Sequence, residues 1–275
     1  MPRTIPATTM QYCIDLVRRY DHDHFLCTTL LPATTRVAAQ VVRAFNVEIS
    51  LIDRATSNAN AATIRLQWWR EAVAAAADAQ KIEHPVVEAL GVLINEHRLP
   101  MRWLNQIVES RDPDRLQTPR TIADLETIAE ASHSTLLYLT LHARKIHDLN
   151  ADHAASHIGK AIGLVTALQA IRFGYTSNLP RNLLSDPHIK LAPENEPLID
   201  LVYQIASQAK AHLDHARSLR DVIPAVARPV LLPAVPAARF LDRLQLGQFD
   251  VFQTPSSTPL PTQMSLLYNW LRSQF

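Results

Sequence analysis

Glycine is scarce in this chain, with five among 275 residues. A fold of many short strands needs glycine for its tight turns, so the scarcity argues against an all-β protein and favours helices. There is also no glycine-rich cradle for a nucleotide: neither GxGxxG nor a P-loop occurs. Only two cysteines are present, Cys13 and Cys27, too few for a disulfide framework and suited to a reducing compartment. Charged residues make up 19% and nearly cancel to a net +1, which gives no electrostatic footing for nucleic acid. No apolar run reaches the about 18–20 residues of a membrane span. The signatures HExxH and GxSxG are missing as well.

What is present is apolar and helix-forming. Hydrophobic residues reach 47%, enough to bury a core, with abundant Ala and Leu. No repeat of 20–50 residues is visible, which argues against a solenoid. The periodicity predicts one domain of about ten helices. The first nine residues read as a flexible N-terminus or the remnant of a transit peptide, leaving residues 10–275 as the domain.

The first helix is predicted over Met10–Tyr20. A polar break, Tyr20–Phe25, follows it; Asp21, His22, Asp23 and His24 there have the composition of a metal site but read as a solvated loop. From Pro32 a strong helix begins, with Val37, Val41, Val42, Phe45, Ile49 and Ile52 on its apolar face. The turn TSNANA offers Ser57, Asn58 or Asn60 as a cap for the next helix, Ala61 to about Lys81. In that helix Leu66, Trp69 and Val73 are candidate core residues. Trp68 and Trp69, flanked by Arg65 and Arg70, form either a diphosphate- or partner-recognising surface, or one core Trp beside one seam Trp. Two shorter helices cover His84–His97 and Pro100–Glu109, and Arg111–Thr121 is a polar linker. Thr121 and Asp124 are candidate caps of a long helix reaching about Lys145.

Asp152–Phe173 has the character of a buried central helix. Ala155, Ile158, Ile162, Val165, Leu168 and Ile171 keep one face apolar. Gly159 and Gly163 lie four apart on another face, where missing side chains let a neighbouring helix come close. Asp152 is its candidate cap. His153 and His157 share a face; they read as a hydrogen-bonded pair inside the bundle, or as two metal ligands needing a third from His133, His142, His147, His212 or His215. A long irregular stretch, Arg181–Pro197, with one helical turn at Leu183–Leu184, precedes an amphipathic helix over Leu198–Val222. His212 and His215 are placed on that helix's solvated or partner-facing edge. Prolines at 224, 229, 233 and 236 then break the chain before PAARFLDRLQ, a tether, and a last helix over Met264–Leu271.

Four stretches, LPATTRVAAQVVRAFNVEIS, RLQWWREAV, SHSTLLYLTL and GKAIGLVTALQAIR, resemble in order and spacing the squalene/phytoene synthase family across nearly the whole chain. The phrases RAFNVEIS, STLLYLTL and DHAASHIGKAIGLVT are similar to a mitochondrial branch of that family made up of assembly factors for respiratory complex I. The resemblance implies an all-α, single-domain helical bundle of the isoprenoid synthase type. Enzymes of the family join two prenyl diphosphates, with two Asp-rich motifs holding Mg²⁺ ions on the diphosphate. The chemistry needs carboxylates, because ionising an allylic diphosphate puts large negative charge on phosphate that hard cations must neutralise.

In the register set by Phe45, the first motif's two Asp positions carry Ser50 and Arg54, with Glu48 and Asp53 nearby on other faces. In the register set by Gly159 and Ala161, the second motif's Gln and Asn become Gly163 and Thr166, and its Asp positions become Ala170 and Gly174. Neither motif survives in register, so no catalytic residue, no metal and no cofactor is expected. The pocket candidates are Arg43, Glu48, Ser50, Arg54, Arg65, Trp68, Gly163, Thr166 and Ala170, with Arg70 and Arg172 as further cations. The expectation is a pseudoenzyme in the mitochondrial matrix, peripheral to the inner membrane. It would act in early biogenesis of NADH dehydrogenase subunit 1, with complex I subunits or other assembly factors as partners. The alternatives are a divergent Mg²⁺-dependent prenyl transferase and a prenyl-lipid-binding protein.

Overall fold

The computed structural model describes residues 4–55, 59–112, 119–175, 179–180, 182, 191–253 and 259–275. Among these residues every regular element is helical. In chain order the α-helices are α1 (Ala7–Tyr20), α2 (His22–Thr29), α3 (Ala33–Ala55), α4 (Ala59–Ala77), α5 (Pro85–His97), α6 (Met101–Glu109), α7 (Ile122–Ala129), α8 (Thr135–Ala143), α9 (Leu149–Ile171), α10 (Glu196–Ser218), α11 (Ala234–Leu246) and α12 (Pro259–Leu271). Contacts divide the chain into two compact units. One comprises Met1–Gln117 with Thr135–His147, the other Thr118–Ser134 with Asp148–Phe275. Among the described residues no helix is long and apolar enough to cross a membrane.

The first unit is built on α3, against which α1, α2, α4, α5, α6 and α8 pack. Val41, Val42, Phe45, Ile49 and Ile52 recur at three- and four-residue steps and are buried. Each such side chain stabilises the fold by about 1.5–3 kcal/mol relative to leaving it in water. Leu66, Trp69, Val73, Leu90, Leu104 and Leu139 belong to the same core. Both cysteines are buried free thiols, Cys13 on α1 and Cys27 on α2. Burial, with Glu48 adding to it, pushes the Cys13 thiol up to about 12; burial pushes Cys27 higher still.

Helix α1 begins at Ala7, after Pro6, and so takes in residues assigned from sequence to a flexible N-terminus. Thr9 is buried and donates to Glu88 at 2.6 Å, which ties this first turn to α5. The expected polar break at Tyr20–Phe25 is also revised. Only Asp21 interrupts the chain, and α2 starts at His22. Asp21 accepts from Arg43 at 2.9 Å and lies 2.5 Å from His24 Nδ1, so the acidic residue faces the interior rather than water.

In the second unit α9 is central, packed by α7, α10 and α11. Its cap is Asp148, whose carboxylate accepts from the Ala151 amide at 2.8 Å, and the sequence candidate Asp152 falls inside the first turn instead. Thr121 and Asp124 cap α7 as a reciprocal box, each side chain accepting from the other's amide. The helix they open is not continuous to Lys145. A π turn, Glu130–Ser134, separates α7 from α8. The π turn lies against the glycines of α9. A Cβ on Gly159 would meet Ser134, and one on Gly163 would meet Ala129. Thr56–Asn58 and Leu183–Leu184, where a cap and a helical turn were expected, lie outside the described residues.

Candidate functional site

Of the sequence candidates on α3, Arg43 is buried and its guanidinium is committed to Asp21. Burial raises the Asp21 carboxyl, but His24 and Arg43 outweigh it and hold that acid well below the usual carboxylate range. Glu48 accepts from Tyr12 Oη at 2.8 Å and lies 3.9 Å from His84 Nε2. Burial first, and then Glu48, pushes the Tyr12 phenol up to about 12. Ser50 donates to the Val47 carbonyl at 2.8 Å, turning its hydroxyl back onto its own helix. The Arg54 and Asp53 side chains lie outside the described residues.

On α4 the tryptophan pair divides. Trp69 is 4% exposed and meets Phe45 edge-on at 5.5 Å; Trp68 is 42% exposed. Both rings pack on His84, at 5.6 Å for Trp68 and 5.0 Å for Trp69. Glu48 and Trp68 are therefore brought together around one imidazole, with Tyr12 at 6.5 Å. Burial pushes the pKa of His84 down against the pull of Glu48. Arg65 is exposed, and Arg70 is paired with Asp112. A surface cavity of about 380 Å³ in the same unit is lined by Ile5, Met10, Val37, Val92 and Leu93, with Glu96 among the polar residues; it includes none of the sequence candidates.

On α9, Gly163 is buried against Ala129, Thr166 is exposed, and Ala170 is half-buried. The Thr166 hydroxyl donates to the Ile162 carbonyl at 2.8 Å. Beyond the helix, Arg172 is exposed and Gly174 adopts a φ of 82°, a left-handed conformation natural to glycine.

The same helix carries a polar cluster of another kind. His157 Nδ1 lies 2.8 Å from His212 Nδ1, and its ring centroid is 4.2 Å from that of His215. His212 is 8% exposed, which corrects its expected place on a solvated edge; His215 is exposed. Burial, with the charges of His215 and His212 adding to it, pushes His157 down to about 4, so its imidazole is neutral near pH 7. Below it, Glu130 accepts from Ser134 at 3.0 Å and from Ser156 at 2.7 Å.

A family model for squalene/phytoene synthase matches residues 17–263. The chain belongs to the squalene/phytoene synthase family. Among its relatives, the human "NADH dehydrogenase (ubiquinone) complex I, assembly factor 6" is 37% identical over 253 residues, covering 89% of this chain and 76% of that protein. The protein of the same description from Rattus norvegicus is 37% identical over 250 residues, covering 88% and 75%. Among solved structures, a dehydrosqualene synthase in complex with ligand superposes with a TM-score of 0.81 over 96% of each chain. At 16% identity that likeness bears on fold alone.

The squalene/phytoene synthase match takes in α2 to α11 whole. The all-α expectation and the family resemblance both hold. The burial of His212 has a signal in the sequence that composition alone hides. Ile205, Ala209, His212 and Ala216 step by three and four along the buried stripe of α10, so His212 belongs to that register.

Proposed function

We propose that this chain is a non-catalytic assembly factor for mitochondrial respiratory complex I, built on a squalene/phytoene synthase scaffold. It acts from the mitochondrial matrix, as a peripheral protein of the inner membrane. Its role is in early biogenesis of the membrane arm, at NADH dehydrogenase subunit 1, through complex I subunits or other assembly factors. Residues 10–275 serve as one functional domain, and the site works by binding rather than turnover.

The observation that carries this reading is the similarity to complex I assembly factor 6 from human and rat over nearly nine-tenths of the chain. The residues in the family register support it. Ser50, Arg54, Ala170 and Gly174 stand where carboxylates are needed, and none of these side chains is an acid. The hydroxyls of two pocket candidates, Ser50 and Thr166, are turned onto backbone carbonyls of their own helices. Those four positions therefore supply no ligand to hold hard cations against a departing diphosphate.

The test is complex I abundance on native gels in a deletion strain of the source organism, with complexes III and IV as controls. Selective loss of complex I, restored by the wild type and by Asp53→Ala, is the expected result; normal complex I would sink the proposal. Purified protein is expected to release no Mg²⁺-dependent diphosphate from farnesyl diphosphate above a boiled control. Release above it would instead point to a divergent prenyl transferase.

A further inference from the structure

Three imidazoles meet where α10 packs on α9, away from the positions that the family register assigns. His157 comes from α9, and His212 and His215 from α10. Two nitrogen ligands of one tetrahedral zinc ion sit about 3.3 Å apart, given Zn–N bonds of about 2.0–2.1 Å. The Nδ1 atoms of His157 and His212 are 2.8 Å apart, within a small adjustment of that spacing. The geometry points to a binding site for one borderline transition-metal dication of the zinc type, held by Nδ1 of His157 and of His212 and completed by His215.

The surroundings prepare the two fixed donors. His212 Nε2 lies 3.1 Å from Glu126 Oε1, although not aligned as a hydrogen bond, and Gln208 donates to the same oxygen at 2.8 Å. A carboxylate beside one imidazole nitrogen favours a proton there and leaves the other nitrogen free to ligate. In the metal-free state one of the two Nδ1 atoms must carry a proton for the other to accept. Ligation by both moves that proton from Nδ1 to Nε2 of His157, so it stays on the same ring.

The third donor is the one that has to move. Among the described residues no three such side chains converge on one point as they stand. His215 packs beside His157 with 4.2 Å between ring centroids and is exposed, so a turn of its side chain brings a nitrogen to the pair at little cost. The open side at His215 also gives the ion its way in. Imidazole donors select zinc, cobalt, nickel or copper over magnesium or calcium.

Zinc chloride titrated calorimetrically into chelator-stripped, full-length protein tests the site, with the visible spectrum of cobalt(II) as a second readout. One equivalent is expected to bind, with a tetrahedral cobalt spectrum and a raised melting temperature. Binding is expected to disappear in His157→Ala and His212→Ala, to weaken by about tenfold or more in Glu126→Gln, and to persist in His153→Ala. Circular dichroism without metal checks each fold. His215→Ala alters only an exposed side chain, and it is expected to lose the tetrahedral spectrum and most of the affinity. No zinc binding by the wild type, or binding unchanged by both His157→Ala and His215→Ala, overturns the proposal.

Discussion

A Cβ placed on Gly159 would fall 2.3 Å from the backbone nitrogen of Ser134 and 2.2 Å from its Oγ. Backbone cannot step aside as a flexible side chain can, so α9 and the π turn would have to separate. Gly159→Ala is therefore expected to cost about 3 kcal/mol or more, the upper range for overpacking a close contact. Gly91, inside α5, is the contrast: its added Cβ would meet Ala76 at an ordinary 3.4 Å. Gly91→Ala is expected to be neutral or to stabilise by about 0.5–1 kcal/mol through helix propensity. Denaturant midpoints of the two variants distinguish these outcomes.

The ion pair between Asp21 and buried Arg43 sets a second expectation. Asp21→Ala leaves the guanidinium buried without its carboxylate and is expected to cost about 3–5 kcal/mol. The folded carboxyl titrates below its unfolded value, which is about 4. Its contribution is thus complete above about pH 4 and fades as pH falls from there toward the folded value. Acid unfolding of wild type and variant should converge at the lowest pH; parallel curves would contradict the assignment.

Adjacent tryptophans should behave differently. Trp69→Ala empties a core position against Phe45 and is expected to lose about 3–5 kcal/mol. Trp68→Ala removes a half-open ring and its edge contacts with Trp69 and His84, for about 1–2 kcal/mol. Equal losses from chemical denaturation of the two variants would contradict this division of roles.

The cap of α7 gives a smaller effect. Thr121→Ala removes the side-chain acceptor of the Asp124 amide and is expected to cost about 1 kcal/mol, with Thr121→Ser restoring most of it. Hydrogen exchange of the first α7 amides is the local readout.

Much of this architecture was legible in the residues. The start of α3 after Pro32, the burial of Trp69 and the close approach at Gly159 and Gly163 follow from local chemistry and from three- and four-residue spacing. The features that escaped depend on what another helix brings. Asp21 looked solvated because its partner Arg43 is 22 residues away, and only the packing of α3 makes it an interior acid. The π turn escaped because Thr121–Lys145 keeps helical propensity throughout, and a widened turn leaves no compositional mark. The pocket candidates divide likewise. Glu48 and Trp68 meet at His84, a residue the sequence offered only as a helix boundary.

The two buried cysteines make the protein a natural background for site-directed spectroscopy. Thiolate is the form that reacts with maleimides and spin labels, and burial keeps Cys13 and Cys27 protonated and covered. A cysteine put at an exposed position such as Ser207 is then the one thiol a dye or label will find in the native chain. Fluorescence or electron paramagnetic resonance can follow α10 with both native cysteines left in place.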